Sequence, residues 1–257
     1  MIDENVIKVD SLGKYYATEN GNSIHALNKV DLDVHPNDFI CIVGPSGCGK
    51  STLLRIVAGL ERASEGSVHY RDTVLSGPTR EIGMVFQEYS LLPWRNVLEN
   101  VGLGLEFAGA SSSERFHVAR SFLRLVGMEA FERAFPHELS GGMQQRVAIA
   151  RSLANNPDVL LMDEPFGALD AHTRILLQKE LLRIWERNRK TILFVTHSVD
   201  EAIYLADRIV VMSGRPGTVL EIMEAQMARP RDRSHPSYGR MASQILDMLE
   251  KEVSSSM

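Results

Sequence analysis

The segment GPSGCGKST, Gly44 to Thr52, follows directly on the apolar run DFICIVG. It meets the pattern G-x-x-x-x-G-K-[ST] at Gly44, Gly49, Lys50 and Ser51. Glycines allow a tight loop whose successive N–H groups face one point, and a helix starting there adds the positive end of its dipole. The loop is therefore expected to bind an anion between a buried strand and a helix. KSTLLRIVAGL supplies the helix, with Leu53, Leu54, Val57 and Leu60 at helical spacing. The backbone of Gly44, Pro45, Ser46, Gly47, Cys48, Gly49 and Thr52 is expected to cradle the phosphates of a nucleotide. Lys50 would reach the β- and γ-phosphates, and Ser51 would ligate Mg²⁺. The same surroundings, a helix N-terminus beside an ammonium, are expected to lower the pKa of the Cys48 thiol.

The rest of the chain fits an α/β protein. ALNKVDLDV places Leu27, Val30, Leu32 and Val34 as one face of a half-buried, antiparallel strand. GSVHYRD and EIGMVFQ read as further strands. From Glu88 to about Asn156 helical patterns dominate, as in Phe116, Ala119, Leu123 and Val126. Short apolar strands then alternate with helices (DVLLMDEP, DAHTRILLQKELLRIWERN, TILFVTH, SVDEAIYLADR, IVVMSG), the mark of a parallel sheet covered on both faces. The tail holds a turn GRPG, a strand TVLEIMEA, a basic loop ARPRDRSHPSYGR and a last helix ending near LEKE. The basic loop is either a solvated surface or a regulatory segment.

VLLMDEP ends an apolar strand in two adjacent carboxylates. Neighbours on a strand point opposite ways, so Asp163 is assigned to Mg²⁺ and Glu164 to the attacking water of a phosphoryl transfer. Thr196 and His197 end the next strand, where parallel sheets deliver ligand contacts. A neutral imidazole there accepts from water and donates to a γ-phosphate. Ser198 and Glu201 read as a capping box opening the following helix. In LSGGMQQRV, Ser140, Gly141 and Gly142 make a helix start with bare backbone donors, a second anion site. A simple serine cap explains Ser140 but not two consecutive glycines.

These motifs, in this order, resemble those of the ATP-binding subunit of ABC transporters, and the resemblance runs from Val6 to about Glu224. GPSGCGKST resembles the Walker A motif, VLLMDEP Walker B, LSGGM the signature and FGALD the D-loop. Gln87 resembles the Q-loop glutamine, His197 the switch histidine and Tyr16 the aromatic residue that stacks on adenine. Met143 stands where glutamine is commonest in the family. The resemblance implies a P-loop NTPase core with a parallel sheet covered by helices, an antiparallel β subdomain and an inserted helical subdomain. It implies one ABC ATP-binding domain over residues 1–257, with the helical subdomain at about 88–156 and the tail at about 226–257. It also implies ATP and Mg²⁺ as cofactors, with Ser51, Gln87 and Asp163 on the metal, Glu164, His197 and Gln87 catalytic, and Ser140, Gly141 and Gly142 on nucleotide.

FQEYSLLPWRNVLENV and GRPGTVLEIMEA…RPRDR are similar to importers of nitrate, aliphatic sulfonates and taurine. One phosphate loop and one signature suit a symmetric homodimer that sandwiches two ATP molecules head to tail. The transmembrane permease is the expected partner, with a periplasmic or extracellular solute-binding protein acting indirectly. Leu91, Leu92, Pro93 and Trp94 either grip the permease or form core of the helical subdomain. The net charge of −5 and the lack of a basic arm argue against nucleic acid. No apolar run approaches the ~18 residues of a membrane span, no signal-peptide core opens the chain, and two cysteines fit a reducing compartment. A peripheral position on the cytoplasmic membrane face follows. The alternatives are a soluble ABC-type ATPase of DNA repair or translation, and a small-molecule kinase, which LSGGM argues against.

Overall fold

A computed structural model describes residues 5–18, 21–167 and 169–255. Along the chain run β1 (Ile7–Ala17), β2 (Ser23–Val34), β3 (Phe39–Val43), α1 (Lys50–Val57), β4 (Glu65–Tyr70), β5 (Thr73–Val74) and β6 (Ile82–Val85). Helices α2 (Val97–Val101), α3 (Leu103–Phe107), α4 (Ser112–Leu125) and α5 (Gly141–Ala154) come next, then β7 (Val159–Asp163), α6 (Ala171–Asn188) and β8 (Thr191–Val195). The chain closes with α7 (Val199–Leu205), β9 (Arg208–Met212), β10 (Val219–Glu224) and α8 (Pro236–Ser255). Two compact units result. One joins the chain up to Thr79 with the stretch from Thr191 onward, and the other runs from Arg80 to Lys190.

The first unit holds two sheets. Strands in the order β2-β1-β4-β5 are all antiparallel. Along β2, Val30, Leu32 and Val34 are buried while Asp31 and Asp33 are exposed, the period of a sheet with one wet face. Leu27 is buried too, three residues before Val30, because Lys29 sits at φ 46 and the pairing with β1 shifts register there. The second sheet runs β10-β9-β3-β8, with β9, β3 and β8 parallel and β10 antiparallel to β9. Every residue of β3 and β8 is buried, as strands covered on both faces require. Helix α1 packs against β8 and α7 against β3. Leu53, Leu54 and Val57 of α1 are buried as their spacing predicts, but Leu60 is 49% exposed. The helix has stopped by then: Gly59 takes φ 70, with its Cα so close to Gly77 that a Cβ would lie 2.3 Å from that carbonyl.

The second unit pairs β6 and β7 in parallel, Val85 level with Met162. Around them α2, α3 and α4 pack on α5. Ala119, Leu123 and Val126 are buried, as the spacing in the sequence predicts.

Much of the basic tail loop is exposed, but three of its arginines are tied back to the fold. The Arg231 side chain, 4% exposed, donates to the carbonyls of Ile203 at 2.7 Å, Tyr204 at 3.4 Å, Ala225 at 2.6 Å and Met227 at 3.1 Å. Arg229 bonds Asp207 at 2.5 Å and the carbonyl of Leu205. These arginines therefore cap the C-terminal end of α7, where the helix leaves carbonyls unsatisfied and its dipole favours cations. Burial, with the Arg229 charge second, holds Arg231 down to about 10, so it stays charged at neutral pH. Arg233 clasps Asp200 with two bonds at 2.8 and 3.0 Å and lies over the Tyr204 ring, and the Tyr238 hydroxyl donates to Asp200 at 2.7 Å.

Candidate functional site

In the first unit the loop between β3 and α1 has the geometry its sequence demands. Gly47 and Gly49 adopt φ 75 and φ 105, which side chains other than glycine rarely take. Gly49 has a second constraint, since a Cβ would fall 2.6 Å from Leu27 Cδ2 and 2.9 Å from the carbonyl of Ala26. It also starts α1 without any side-chain cap, and no acid occupies the first turn. The helix N-terminus thus keeps its N–H groups and its dipole for an anion.

Lys50 is 5% exposed, and its Nζ donates to the carbonyls of Gly44 at 2.8 Å and Pro45 at 2.9 Å. The ammonium rests on acceptors of the loop itself, which phosphate oxygens, being charged, outcompete. Ser46 and Gly47 are exposed, and Ser51 and Thr52 half-buried. Tyr16, half-buried, shares a 3.3 Å hydroxyl contact with Thr52, and Lys14 Nζ lies 4.9 Å from its ring centroid. The ring expected to stack on adenine therefore stands against the first turn of α1.

Cys48 corrects an expectation. The thiol is 1% exposed, and burial raises its pKa; Lys50 Nζ, 3.8 Å away, opposes this without reversing it. Helix dipole and ammonium lose to desolvation because the sulfur points into the loop, away from water.

Parallel pairing brings the second strand end to the same edge. Ile42 of β3 is level with Val195 of β8, so the loop and His197 both leave the carboxyl ends of neighbouring strands. His197 is exposed, as is required of a group that meets a ligand. Thr196 shapes the turn: its N–H donates to Ile42 at 3.1 Å, and its hydroxyl accepts from Ser198 N–H at 3.0 Å and donates to Glu201. Ser198 does cap α7, accepting from Glu201 N–H at 3.3 Å, but the Glu201 carboxylate goes to Thr196. The expected capping box is thus rebuilt around a buried threonine.

In the second unit Gln87 and the acidic pair follow the carboxyl ends of β6 and β7. Asp163, 3% exposed, is the last residue of β7. Glu164 lies beyond the strand at φ 44, a conformation costing on the order of 1 kcal/mol. Glu164 thus lies outside the strand, and the alternation expected to turn the two carboxylates to opposite faces does not extend to it. Gln87 and Asp163 offer an amide and a buried carboxylate, and Ser51 in the first unit a hydroxyl; each is a hard oxygen donor of the kind Mg²⁺ takes. Among the described residues no three of His, Cys, Asp and Glu gather for a metal held by protein alone.

Helix α5 starts at Gly141, with Ser140 as its cap accepting from Met143 N–H at 3.4 Å. The two glycines have packing reasons as well. A Cβ on Gly141 would lie 3.0 Å from the Tyr89 hydroxyl, and one on Gly142 3.0 Å from Thr173 Cγ2. Tyr89 itself is anchored, its carbonyl accepting from Arg151 at 3.0 Å. Asp170 at the end of the D-loop caps α6, accepting from His172 N–H at 3.1 Å and Thr173 N–H at 3.0 Å; Ala168 lies outside the described residues. Trp94 is 71% exposed and Pro93 exposed, while Leu91 and Leu92 are half-buried. The buried Asn100 rivets this turn, accepting from Leu92 N–H at 2.8 Å and donating to Leu92, Arg95 and Asn96 carbonyls. The core alternative fails for Trp94.

A phosphate loop and a histidine at adjoining ends of parallel strands, with a left-handed glutamate after an apolar strand, define a nucleotide-hydrolysing α/β protein. Residues 27–167 match the ABC transporter family model, and the chain belongs to that family as an ATP-binding, ATP-hydrolysing subunit. It is 52% identical to an uncharacterised ABC transporter ATP-binding protein of Methanocaldococcus jannaschii over 98% of this chain and 94% of that protein. It is 47% identical to a taurine import ATP-binding protein of Rhizobium johnstonii over 87% of this chain and 86% of that one. It is also 41% identical to an aliphatic sulfonates import ATP-binding protein of Bacillus anthracis, over 95% and 96%. A dimeric ATP-binding cassette solved in a post-hydrolysis state with ADP and Pi superposes with a TM-score of 0.77 at 35% identity, covering 86% of this chain and 100% of that one.

Proposed function

We propose that this chain powers import of a small sulfonate, taurine or nitrate-type solute, working as a homodimer under a transmembrane permease at the cytoplasmic membrane face. A solute-binding protein would act indirectly. The observation that carries the ATPase half is the shared strand edge of the phosphate loop and His197. The import half rests on relatives named for taurine and aliphatic sulfonates import. That no helix among the described residues is long and apolar enough to cross a membrane agrees with a peripheral subunit. The whole chain is taken as one ATP-binding domain, with 88–156 as its helical part and 226–257 as its tail.

Lys50 leaves the Gly44 and Pro45 carbonyls for the β- and γ-phosphates, the loop N–H groups and α1 hold the remaining oxygens, and Tyr16 stacks on adenine. Ser51, Gln87 and Asp163 would hold Mg²⁺, which would supply positive charge to offset that of the phosphates. Glu164 orients or deprotonates the water, and His197 donates to the γ-phosphate. Ser140, Gly141 and Gly142 close over the nucleotide held by the other copy. The exposed Trp94, with Leu91, Leu92 and Pro93, receives the permease.

Reconstitution with the permease encoded alongside it tests the import half: ATP-driven uptake of taurine, an alkanesulfonate or nitrate is expected, and uptake of none of them refutes it. Mixing Lys50→Ala with Gly141→Asp tests the sandwich. Each mutant alone is expected to be inactive, whereas mixed dimers contain one intact site and regain partial ATPase activity. No recovery after proven subunit exchange, with no crosslink between cysteines placed at Ser46 and Ser140, overturns it.

A further inference from the structure

The turn from Ser213 to Thr218, which holds the GRPG segment and is distant in sequence from the phosphate loop, lies against that loop. Gly217 is so close that a Cβ would fall 2.0 Å from the carbonyl of Cys48. Its N–H donates to Ala26 and its carbonyl accepts from Asn28, both at 2.9 Å, which fixes the turn to β2. The turn is also stitched internally, Ser213 Oγ accepting from Thr218 N–H at 2.9 Å and donating to Gly214 O at 3.0 Å. From its tip Arg215 reaches across, Nε and Nη2 donating to the Gly47 carbonyl at 3.2 and 3.1 Å. On the other side Gly214 N–H donates to Glu252 of α8 at 3.0 Å.

We propose that Arg215 is a positioning residue of the phosphate loop, held by a turn that the C-terminal helix α8 clasps through Glu252. The inference rests on the reading that this loop binds ATP.

Gly47 is one of the two left-handed positions of the loop, where the peptide plane is easiest to flip. Turned inward, its carbonyl would set a partial negative charge against the phosphates. A forked, charge-assisted pair of bonds to Arg215 keeps that carbonyl outward. The same bonds polarise the Gly47–Cys48 peptide, which strengthens its N–H as donor to the Pro45 carbonyl at 3.3 Å and so holds the loop's own turn. Crowding points the same way, since Arg215 Nη2 lies 3.1 Å from where a Cβ on Gly47 would stand. The effect falls on phosphate binding in ground and transition states alike, so it enters KM rather than kcat.

The test uses the full chain, with ATP affinity read by displacement of a fluorescent ATP analogue, alongside kcat, KM and the nucleotide-free melting temperature. Arg215→Ala is expected to weaken ATP binding and raise KM about three- to tenfold, the scale of an exposed bond to a charged group, with kcat within about twofold. Because Arg215 is exposed, the melting temperature should hold. Arg215→Lys should recover part of the loss, having charge without the fork, and Glu252→Ala should weaken binding in the same direction by less. Arg215→Ala that binds ATP like wild type, while Lys50→Ala does not bind, overturns the brace and leaves the ATP reading standing. An affinity loss that only follows a fallen melting temperature, unrelieved by lysine, also overturns it. Wild type that binds no ATP removes the ATP reading and this proposal with it.

Discussion

Ile42 and Val195 face each other in parallel register on β3 and β8, so Gly44 and His197 each follow two residues further along adjoining strands. The imidazole is thereby tied to the loop through backbone pairing, and Thr196 fixes the turn between them. Removing the ring should leave that scaffold intact. His197→Ala is expected to bind ATP like wild type and to lose on the order of 10- to 100-fold in turnover, the worth of one hydrogen bond to a charged group. Steady-state kinetics beside a binding titration check this; an affinity loss of the same size would place His197 in binding.

Glu164 occupies its left-handed turn at the end of a fully buried strand. Glu164→Gln keeps the shape and removes the carboxylate proposed as the base. ATP affinity should persist while turnover falls on the order of 10²-fold or more. The uncleaved nucleotide should then hold the dimer, which gel filtration with ATP detects. Near-normal turnover would take Glu164 out of the chemistry.

The Cys48 thiol, raised by burial, should stay protonated and react slowly with maleimide at neutral pH. Mass spectrometry of the native chain should find little modification, and rapid modification after unfolding. Cys41, buried in β3, is raised by the same cause. As pH climbs past the ordinary thiol range, the unfolded chain releases these protons first and the folded chain keeps them. Stability is then lost with rising pH through that window and unaffected below it. Replacing both cysteines by alanine should flatten this part of the profile, read from urea midpoints.

Arg231→Met removes four bonds, to the carbonyls of Ile203 and Tyr204 in α7 and of Ala225 and Met227 after β10, three of them buried. The expected cost is about 3 kcal/mol. A lowered urea midpoint at unchanged slope checks it. A cost below about 1 kcal/mol would mean the carbonyls find other partners.

The parts of the fold readable in sequence are those written as local patterns. The apolar runs of β3, β7 and β8 became buried parallel strands, and the phosphate loop fell between strand and helix as its glycines require. Contacts with no period escaped. Arg215 and Gly47 are distant in the chain, and so are Arg231 and Ile203; each arginine meets a backbone carbonyl, which every residue carries and no sequence marks. For the Cys48 thiol, sequence shows the dipole and the ammonium but not the desolvation that outweighs them, which depends on packing. Glu164 was read by strand alternation, yet the strand had ended one residue earlier.

The tail also sets an order of assembly. The compact unit from Arg80 to Lys190 is continuous in the chain, whereas the unit carrying the phosphate loop needs everything after Thr191. On a ribosome the continuous unit is complete while β8, β9 and the Ser213–Thr218 turn have yet to emerge. Gly217 cannot reach Cys48, nor Arg231 the end of α7, until the segment after β9 has emerged. A nascent chain therefore carries a phosphate loop without its supports until the Ser213–Thr218 turn has been made.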